Sequence, residues 1–160
     1  MNWPYNLRME SPLGALFLAS DGEALTEVSF GAKSLAQRPC GVLLDAQQQL
    51  TEYFAGTRKR FDLPLRPVGT PFQLANWQAL SEIPYGQTVS YQDIACRLGK
   101  PKACRAVGLA NHCNPISIII PCHRVVGKNG SLTGYAGGLN AKRFLLELEH
   151  KAMEENRVEI

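Results

Sequence analysis

Residues 121–124 place a proline, a cysteine, a histidine and an arginine in direct succession. The preceding residues 116–120 read Ile-Ser-Ile-Ile-Ile and predict an apolar strand that is buried on both faces and ended by the proline. A cysteine acts as a nucleophile in its thiolate form, so it requires a nearby base or cation that lowers its pKa. His123 and Arg124 are the adjacent candidates for that role, which makes Cys122 a candidate nucleophile. A buried packing role for this thiol is the alternative.

A zinc site is another chemistry that these residue types could support. His112-Cys113 and Cys122-His123 form two adjacent pairs of ligand types. Neighbouring residues chelate one ion poorly, and the usual spacing of zinc ligands is absent, so we expect no metal. The zinc deaminase signature lacks its second cysteine and its His-x-Glu. No papain-like signature and no phosphate-binding Gly-Lys-Ser/Thr motif is present, and we expect no cofactor.

The composition favours a folded intracellular protein. The chain has 160 residues and is 45% hydrophobic, which suits one compact unit or two small subdomains. Five cysteines are an odd number and argue against a disulfide framework. The first residues lack the pattern of a signal peptide, and no apolar stretch is long enough to span a bilayer. We therefore expect a cytoplasmic protein without a membrane partner.

Positive charge is concentrated in the second half of the chain. The segment 91–146 contains eight Lys and Arg residues and one acid, Asp93, which gives a net charge of +7. Because the whole chain carries +3, the remainder carries −4. This segregation predicts a polyanionic partner for the second half. A solvated basic face without a partner is the alternative.

The first half reads as a sheet followed by a helix. Three strand-like runs predict a β-meander: residues 5–11, 14–20 and 24–30. Apolar residues at helical spacing predict a helix over 42–54, with Gly56 able to cap its end. Residues 60–65 predict a further strand. Residues 66–71 are rich in proline and glycine and predict a linker, so we place a domain boundary between residues 68 and 69.

Two short helices with a tight turn between them are predicted in the second half. A helix over 70–81 comes first, with Thr at its cap and Pro at its first position. Ser90 then caps a helix that ends at Gly99, and Pro101 begins the next one. This is a helix-turn-helix pattern, for which an ordinary helical hairpin in a core is the alternative. The basic residues around the second helix favour DNA.

A last helix is predicted to begin near Leu139. Four of its residues are expected to face the core: Ala141, Phe144, Leu145 and Leu148. Glu149 is expected at the edge of that apolar stripe. The loop that precedes this helix, residues 127–138, is rich in glycine.

The segment from Thr70 to Glu149 resembles the O6-alkylguanine-DNA alkyltransferases. Six motifs carry the resemblance in one order: SYQDIA, KACRAVG, NP, IPCHRVV, GYAGG and LLELE. The first seventy residues match the family in layout alone. The resemblance implies an α/β (α+β) fold, with a small ribonuclease H-like sheet-plus-helix domain over residues 1–68. Residues 69–160 would form a mostly helical, winged-helix-like domain with a helix-turn-helix and the active-site cysteine.

The resemblance implies direct-reversal repair of duplex DNA. Cys122 would attack the alkyl carbon on O6 of guanine, or on O4 of thymine, and keep the group as a stable thioether, so each molecule would act once. His123 would act as the base through a water molecule, and Glu149 would orient it. Tyr91 would donate a hydrogen bond to the guanine ring, and Asn114 would brace the turn before the active site.

The same resemblance implies how duplex DNA containing O6-alkylguanine is bound. Arg105 would enter the base stack from the second helix and replace a flipped nucleotide. Further DNA contacts are assigned to five residues: Lys102, Ala103, Ala106, Gly108 and Arg124, with Tyr91 in addition. Four residues would form the wall of the substrate pocket: Tyr135, Ala136, Gly137 and Gly138. Ala136 stands where some relatives have a serine, so only backbone donors would reach O6.

Two other functions stay open at this point. A non-catalytic protein of the same fold would bind alkylated DNA, but such relatives lack the nucleophile, and Cys122 argues against this reading. A helix-turn-helix regulator would prefer one DNA sequence and ignore alkylation. We expect a monomer, and the sequence leaves open whether copies cluster along DNA and which alkyl group is preferred.

Overall fold

The computed structural model describes residues 3–33 and 35–158. The chain divides into two compact units, which are described separately. One comprises Met1–Val68 together with Pro115–Ile119, and the other comprises Gly69–Asn114 and Ile120–Ile160. No helix in the described ranges is long and apolar enough to cross a membrane.

The described residues of the first unit form an antiparallel sheet with one helix against it. Three strands lie in chain order: β1 (Tyr5–Ser11), β2 (Gly14–Ser20) and β3 (Leu25–Phe30). Helix α1 (Gly41–Phe54) buries residues at helical spacing: Leu43, Ala46, Leu50 and Tyr53. Gly56 follows the helix with φ +80°, a conformation that glycine adopts without strain. The predicted meander and helix are confirmed.

The predicted strand over residues 60–65 is wrong. Leu65 makes only an isolated bridge to Leu25, with hydrogen bonds from Leu25 N to Pro64 O and from Arg66 N to Leu25 O. Pro64 and Pro67 have no N–H to donate, so the ladder cannot extend in either direction. The segment therefore runs beside the sheet without joining it.

The predicted strand over residues 116–120 is also wrong, although the segment is buried as expected. Ile116 forms one bridge to Val28, and the chain then turns. Ile118 has φ +73°, and Ile119 N donates to Ser117 O at 2.8 Å. These features define a γ-turn of the rare, strained kind, at a cost of about 1–3 kcal/mol for a residue of this type. Local propensity predicts the opposite, because isoleucine favours extended backbone.

In its described residues, the second unit contains four helices and a two-stranded ladder. The elements are α2 (Pro71–Ser81), β4 (Val89–Ser90), α3 (Tyr91–Arg97), α4 (Cys104–His112), a 3-10 turn (Cys122–Arg124), β5 (Val125–Val126) and α5 (Leu139–Val158). Thr70 and Ser90 close capping boxes on α2 and α3, with Gln73 and Asp93 as their partners. Both predicted helix starts are confirmed, as is the end of α3 near Gly99, which has φ +72°.

The turn between α3 and α4 is longer than predicted. Helix α4 begins at Cys104 rather than at Pro101. Ala103 N donates to Lys100 O at 2.9 Å, so Pro101 occupies the second position of a turn. Proline favours this position because its φ is already set. Lys102 is thereby exposed on the turn instead of lying on the helix.

Helix α5 begins at the predicted residue but turns a different face inward. Ala141 and Leu145 are buried as expected, whereas Phe144 and Leu148 are half-buried. Glu149 is buried with only 1% of its surface exposed, so its predicted place at the edge of the stripe is wrong. The reason is a buried charge partner, described below, which the helical period does not reveal.

Candidate active site

Cys122 lies in a turn that is fixed by its own backbone. Cys122 N donates to Ile120 O at 2.8 Å across Pro121, which has φ −83° and ψ 63°. This is an inverse γ-turn, and the 3-10 turn follows it directly. The thiol is 4% exposed. A short inverse γ-turn thus presents one sulfur atom in a buried position.

Asn114 holds this turn and also contacts the sulfur. Its Nδ2 atom donates to Ile120 O at 2.8 Å and to Cys122 Sγ at 3.3 Å. Burial raises the pKa of Cys122, while the Asn114 hydrogen bond and the charge of Lys142 oppose that shift. A thiol in this setting stays protonated at neutral pH, so the site needs a base to form the thiolate.

His123 has the protonation state of such a base. Burial lowers the pKa of His123, with its bond to Glu149 acting in the opposite direction, so the imidazole is neutral near pH 7. His123 Nε2 lies 2.7 Å from Glu149 Oε2. A carboxylate can only accept, so Nε2 carries the proton and Nδ1 the lone pair. Nδ1 is buried and has no hydrogen-bond partner among the described residues, which leaves it able to accept a proton.

Arg124 fixes the charge of Glu149. Its Nε and Nη2 atoms donate to Glu149 Oε1 and Oε2 at 2.9 and 3.0 Å, and its Nη1 donates to Ile83 O at 2.7 Å. Burial alone would raise the pKa of Glu149, but the bonds and charges of His123 and Arg124 outweigh it and lower the pKa to about 2. Since His123 is neutral near pH 7, Arg124 is the cation that keeps this carboxylate ionised.

The β4–β5 ladder joins the segment before α3 to the segment that carries Cys122. Val89 pairs with Val125 and Ser90 with Val126 in parallel register. Tyr91 directly follows β4 and residues 122–124 directly precede β5, so in this parallel register the two segments leave the short ladder at opposite ends. Sequence patterns did not predict these two-residue strands, because each is too short to show an alternation.

A surface cavity of about 460 Å³ opens beside Tyr91. Seven residues line it: Tyr91, Cys104, Arg105, Gly108, His112, Thr133 and Gly134. The Tyr91 hydroxyl lies 2.7 Å from Thr133 Oγ1. The cavity therefore gathers three of the predicted site residues, Tyr91, Arg105 and Gly108, on the outer face of α4. Cys122 and the predicted pocket wall are not part of its lining.

The predicted pocket wall adjoins His123. Tyr135 packs edge-on to the His123 ring, with 6.4 Å between ring centroids. Burial raises the pKa of Tyr135 well above its usual value, so its hydroxyl remains protonated. Gly137 is half-buried, and Ala136 and Gly138 are exposed. Gly138 has φ +92°, a conformation that permits the loop to enter α5 without strain.

Comparison with known proteins shows which family contains both domains of this chain. Residues 71–151 match the family model described as 6-O-methylguanine DNA methyltransferase, DNA binding domain. Residues 5–67 match the ribonuclease-like domain of the same family. The chain belongs to the 6-O-methylguanine DNA methyltransferase family. The family, the fold class and the enzyme class inferred from the sequence are thereby confirmed.

Relatives of this methyltransferase align along nearly their whole length. A methylated-DNA–protein-cysteine methyltransferase of Methanosarcina acetivorans is 53% identical over 152 residues, covering 91% of this chain and 97% of the relative. The constitutive enzyme of Bacillus subtilis is 46% identical over 162 residues, covering 94% and 98%. The solved structure of Mycobacterium tuberculosis OGT in complex with DNA is 48% identical, with a TM-score of 0.86 and coverage of 92% and 94%.

The structure distinguishes among the residues predicted to contact DNA. Lys102, Arg105 and Ala106 are exposed, whereas Ala103 and Gly108 are half-buried. Arg124 is 7% exposed and is bound on both sides by Glu149 and Ile83 O. The geometry gives no support to the predicted DNA contact of Arg124, because its guanidinium binds the buried carboxylate.

Sequence reasoning missed the residues that bind α2 to α4 and the buried lysine of α5 in this methyltransferase. Asn76 Nδ2 donates to Asn111 Oδ1, and Trp77 Nε1 donates to Ala110 O, so α2 holds the inner face of α4. Lys142, the other omission, is 1% exposed. It lies seven residues before Glu149, and this helical spacing was the available signal. Among the described residues, no three His, Cys, Asp or Glu side chains form a group that could hold a metal ion.

Proposed function

We propose that this methyltransferase repairs O6-alkylguanine, and O4-alkylthymine, in duplex DNA by transferring the alkyl group to Cys122 in one irreversible turnover. The observation that carries the proposal is a buried thiol which accepts a hydrogen bond from Asn114 and adjoins a neutral His123. The pair His123–Glu149 repeats the base-and-orienter arrangement of activated nucleophiles. No cofactor has a part in this reaction.

The first step is removal of the thiol proton. His123 Nδ1 accepts it through a bridging water, and the imidazolium that forms donates from Nε2 to Glu149. The carboxylate is already ionised because Arg124 binds it, so the new positive charge meets an existing negative one. Asn114 Nδ2 donates to the sulfur and stabilises the thiolate.

The second step is displacement at the alkyl carbon. A sulfur–carbon bond forms as the bond from that carbon to O6 breaks, and the electron pair of the broken bond stays on guanine. The guanine takes up one proton, which balances the proton lost by Cys122. Tyr91 donates a hydrogen bond to the ring while the negative charge develops, and a neutral phenol suits this role. The thioether has no activated leaving group, so the protein acts once.

The lesion must leave the base stack before Cys122 can reach it. Flipping a nucleotide costs a few kcal/mol and less for a poorly paired base. Arg105 is exposed on α4 beside the cavity and fills the gap from the minor groove. Lys102, on the exposed turn before α4, contacts phosphate. The structural likeness to OGT in complex with DNA supports this placement of the helix.

The flipped base is held by the loop before α5. Tyr135 forms one side of the pocket beside His123, and residues 136–138 supply backbone donors. Ala136 has no hydroxyl, so O6 receives its hydrogen bonds from the backbone alone. We further propose a ribonuclease H-like domain over 1–68 and a DNA-binding domain over 69–160. The protein would act as a monomer in the cytoplasm.

Peptide mass spectrometry tests the proposal directly. The reduced protein is incubated with a duplex that contains one O6-methylguanine, or with the undamaged duplex. We expect the Cys122 peptide to gain one methylene, in stoichiometric amount, with the damaged duplex alone. Cys122→Ala should bind the damaged duplex and gain nothing, and Cys113→Ser, which changes an exposed thiol, should react fully. Lesion binding without any gain would instead support a non-catalytic damage-binding protein, and preference for one sequence would support a regulator.

A further inference from the structure

Two thiols lie on either side of the turn between α3 and α4. Cys96 is exposed in the last turn of α3, and Cys104 is the half-buried first residue of α4. One side chain contacts both sulfur atoms. Gln92 Nε2 donates to Cys96 Sγ at 3.2 Å, and Cys104 Sγ donates to Gln92 Oε1 at 3.2 Å. Two cysteines from different helices are thus gathered around a single amide group.

The same amide also fixes the turn that carries exposed cations. Gln92 Nε2 donates to Pro101 O at 2.8 Å, within the turn described above. Lys102 is exposed on this turn, and Arg105 directly follows Cys104 on α4. Cys104 and Arg105 share the wall of the cavity of about 460 Å³. The two thiols therefore belong to the segment that presents both proposed DNA contacts.

These thiols differ from the proposed nucleophile in their access to solvent. Cys122 is 4% exposed, whereas Cys96 faces solvent, so a small oxidant reaches Cys96 first. Oxidation of a thiol gives a sulfenic acid, which condenses with a neighbouring thiol to a disulfide. Cys104 is the neighbour that contacts the same amide as Cys96. The arrangement supplies one exposed thiol and one thiol that can resolve its oxidised form.

We propose that Cys96 and Cys104 form a reversible disulfide on reaction with a peroxide, and that this bond weakens the binding of duplex DNA by α4. The disulfide itself requires no assumption about function. Its effect on binding rests on the proposed function, in which α4 contacts the duplex.

The reaction consumes one hydrogen peroxide molecule for two thiols. The Cys96 thiolate attacks one oxygen, the O–O bond breaks, and the leaving hydroxide takes up the proton of the Cys96 thiol and becomes water. The Cys104 sulfur then attacks the sulfenic sulfur of Cys96, the sulfur–oxygen bond breaks, and a second water leaves with the Cys104 proton. The two thiols lose two electrons, which the peroxide gains. Exchange with a small thiol reverses the bond.

The disulfide removes part of the hold of Gln92 on the turn. Cys104 no longer has an S–H group to donate to Gln92 Oε1. A disulfide also requires its two Cα atoms to lie about 4.4–6.8 Å apart, which fixes the start of α4 against the end of α3. Lys102 lies inside the segment that the bond closes, and Arg105 directly follows it. Both side chains therefore meet the duplex from an altered position.

The test uses the full chain, reduced and then treated with hydrogen peroxide. Trypsin cleaves after Arg97 and Lys102, so the two cysteines fall on separate peptides, and a disulfide appears as a linked pair in mass spectrometry without reduction. Three serine variants are compared with the natural protein: Cys96→Ser, Cys104→Ser and Cys113→Ser. Cys113→Ser is the matched control, because it changes another exposed thiol.

Duplex affinity is measured before oxidation, after oxidation and after treatment with dithiothreitol. The duplex is undamaged, so no alkyl transfer interferes, and the state of Cys122 is read from its own peptide in the same digest. Thermal unfolding of each reduced variant establishes that it is folded. Transfer from the O6-methylguanine duplex by the reduced natural protein is measured separately. Its absence would refute the proposed function, and the peptide map would still decide whether the disulfide forms.

We expect the linked pair in stoichiometric amount in the natural protein and in Cys113→Ser. Oxidation should lower duplex affinity of these two proteins about tenfold, the size of one lost contact, and dithiothreitol should restore it. Cys96→Ser and Cys104→Ser should keep the affinity of their reduced forms.

Two results would overturn the proposal in different parts. Oxidation of the natural protein that leaves Cys96 and Cys104 unlinked would overturn the disulfide. A linked pair with unchanged affinity would overturn its effect on binding, as would an equal loss of affinity on oxidation of Cys96→Ser. If a serine variant does not fold, the peptide map and the affinity of the natural protein decide both parts.

Discussion

His123 Nε2 lies 2.7 Å from Glu149 Oε2, and both side chains are at most 1% exposed. Arg124 binds the same carboxylate through two nitrogen atoms. One buried acid therefore serves an imidazole and a guanidinium at once. This sharing makes the proposed base, His123, and the stability of the second unit depend on a single side chain.

Glu149→Gln should reduce both activity and stability. The amide leaves the imidazolium without a negative partner, so we expect transfer to slow about 10²-fold or more, within the range of general-base contributions. It also leaves Arg124 buried beside a neutral group, which typically costs about 3–5 kcal/mol in the free energy of unfolding. Single-turnover kinetics and urea unfolding measure the two effects. Glu147→Gln, an exposed neighbour, should change neither, and equal losses in both variants would contradict the assignment.

The free energy of unfolding should decrease at acidic pH, over a pH range set by the pKa of Glu149. The pKa of Glu149 is lowered from 4.5 to about 2 in the folded protein. Its contribution to the free energy of unfolding is therefore complete above its pKa in the unfolded chain, and it is lost as the pH falls through its pKa in the folded protein. The shift corresponds to about 3 kcal/mol, lost between about pH 5 and pH 2. Urea unfolding across this window should show a smaller decline for Glu149→Gln than for the natural protein. Parallel declines would mean that other carboxylates dominate.

Lys102 and Arg124 should respond differently when duplex binding is measured against salt. Lys102 is exposed on the turn before α4, so Lys102→Met should reduce the dependence of log affinity on log salt by about one unit. Arg124→Met should leave that slope unchanged and lower the unfolding midpoint instead, because Arg124 is bound to Glu149. A reduced slope for Arg124→Met would show that Arg124 contacts DNA.

Arg105→Ala should affect duplex substrates selectively. The exposed side chain is proposed to fill the gap left by the flipped nucleotide, and a free-base substrate leaves no such gap. We expect transfer from the O6-methylguanine duplex to slow far more than transfer from O6-benzylguanine as a free base. Single-turnover assays on both substrates make the comparison. Equal slowing on both would remove Arg105 from this role.

Local chemistry allowed much of the fold to be predicted from the sequence. The caps at Thr70 and Ser90 satisfy backbone groups within their own helices, so residue identity and spacing suffice to locate them. The β-meander and α1 could be predicted because their apolar residues recur with the spacing of a strand and of a helix. The turn at Ile118 could not be predicted, because its positive φ opposes the preference of isoleucine and is imposed by the surrounding structure.

The residues of the site were predicted best where the family resemblance named them. They were predicted least well where the role of a side chain depends on its burial in the folded protein. Cys122, His123 and Glu149 were named in advance, and their geometry in the structure is compatible with those roles. The commitment of Arg124 to Glu149 joins residues 25 positions apart and depends on tertiary packing, which no short motif encodes. Lys142 was missed because a lysine on a helix is usually a surface residue.

The ladder formed by Val89 and Ser90 with Val125 and Val126 joins the two ends of one segment of the chain. The segment between these strands includes α3, α4 and the turn Cys122–Arg124, and its two ends are held by the ladder. Insertions at the exposed turn of Lys100–Lys102 would alter how this segment meets a nucleic acid, while the register beside Cys122 stays fixed. The substrate geometry of this methyltransferase is thus open to redesign at a place where its bond-making chemistry need not change.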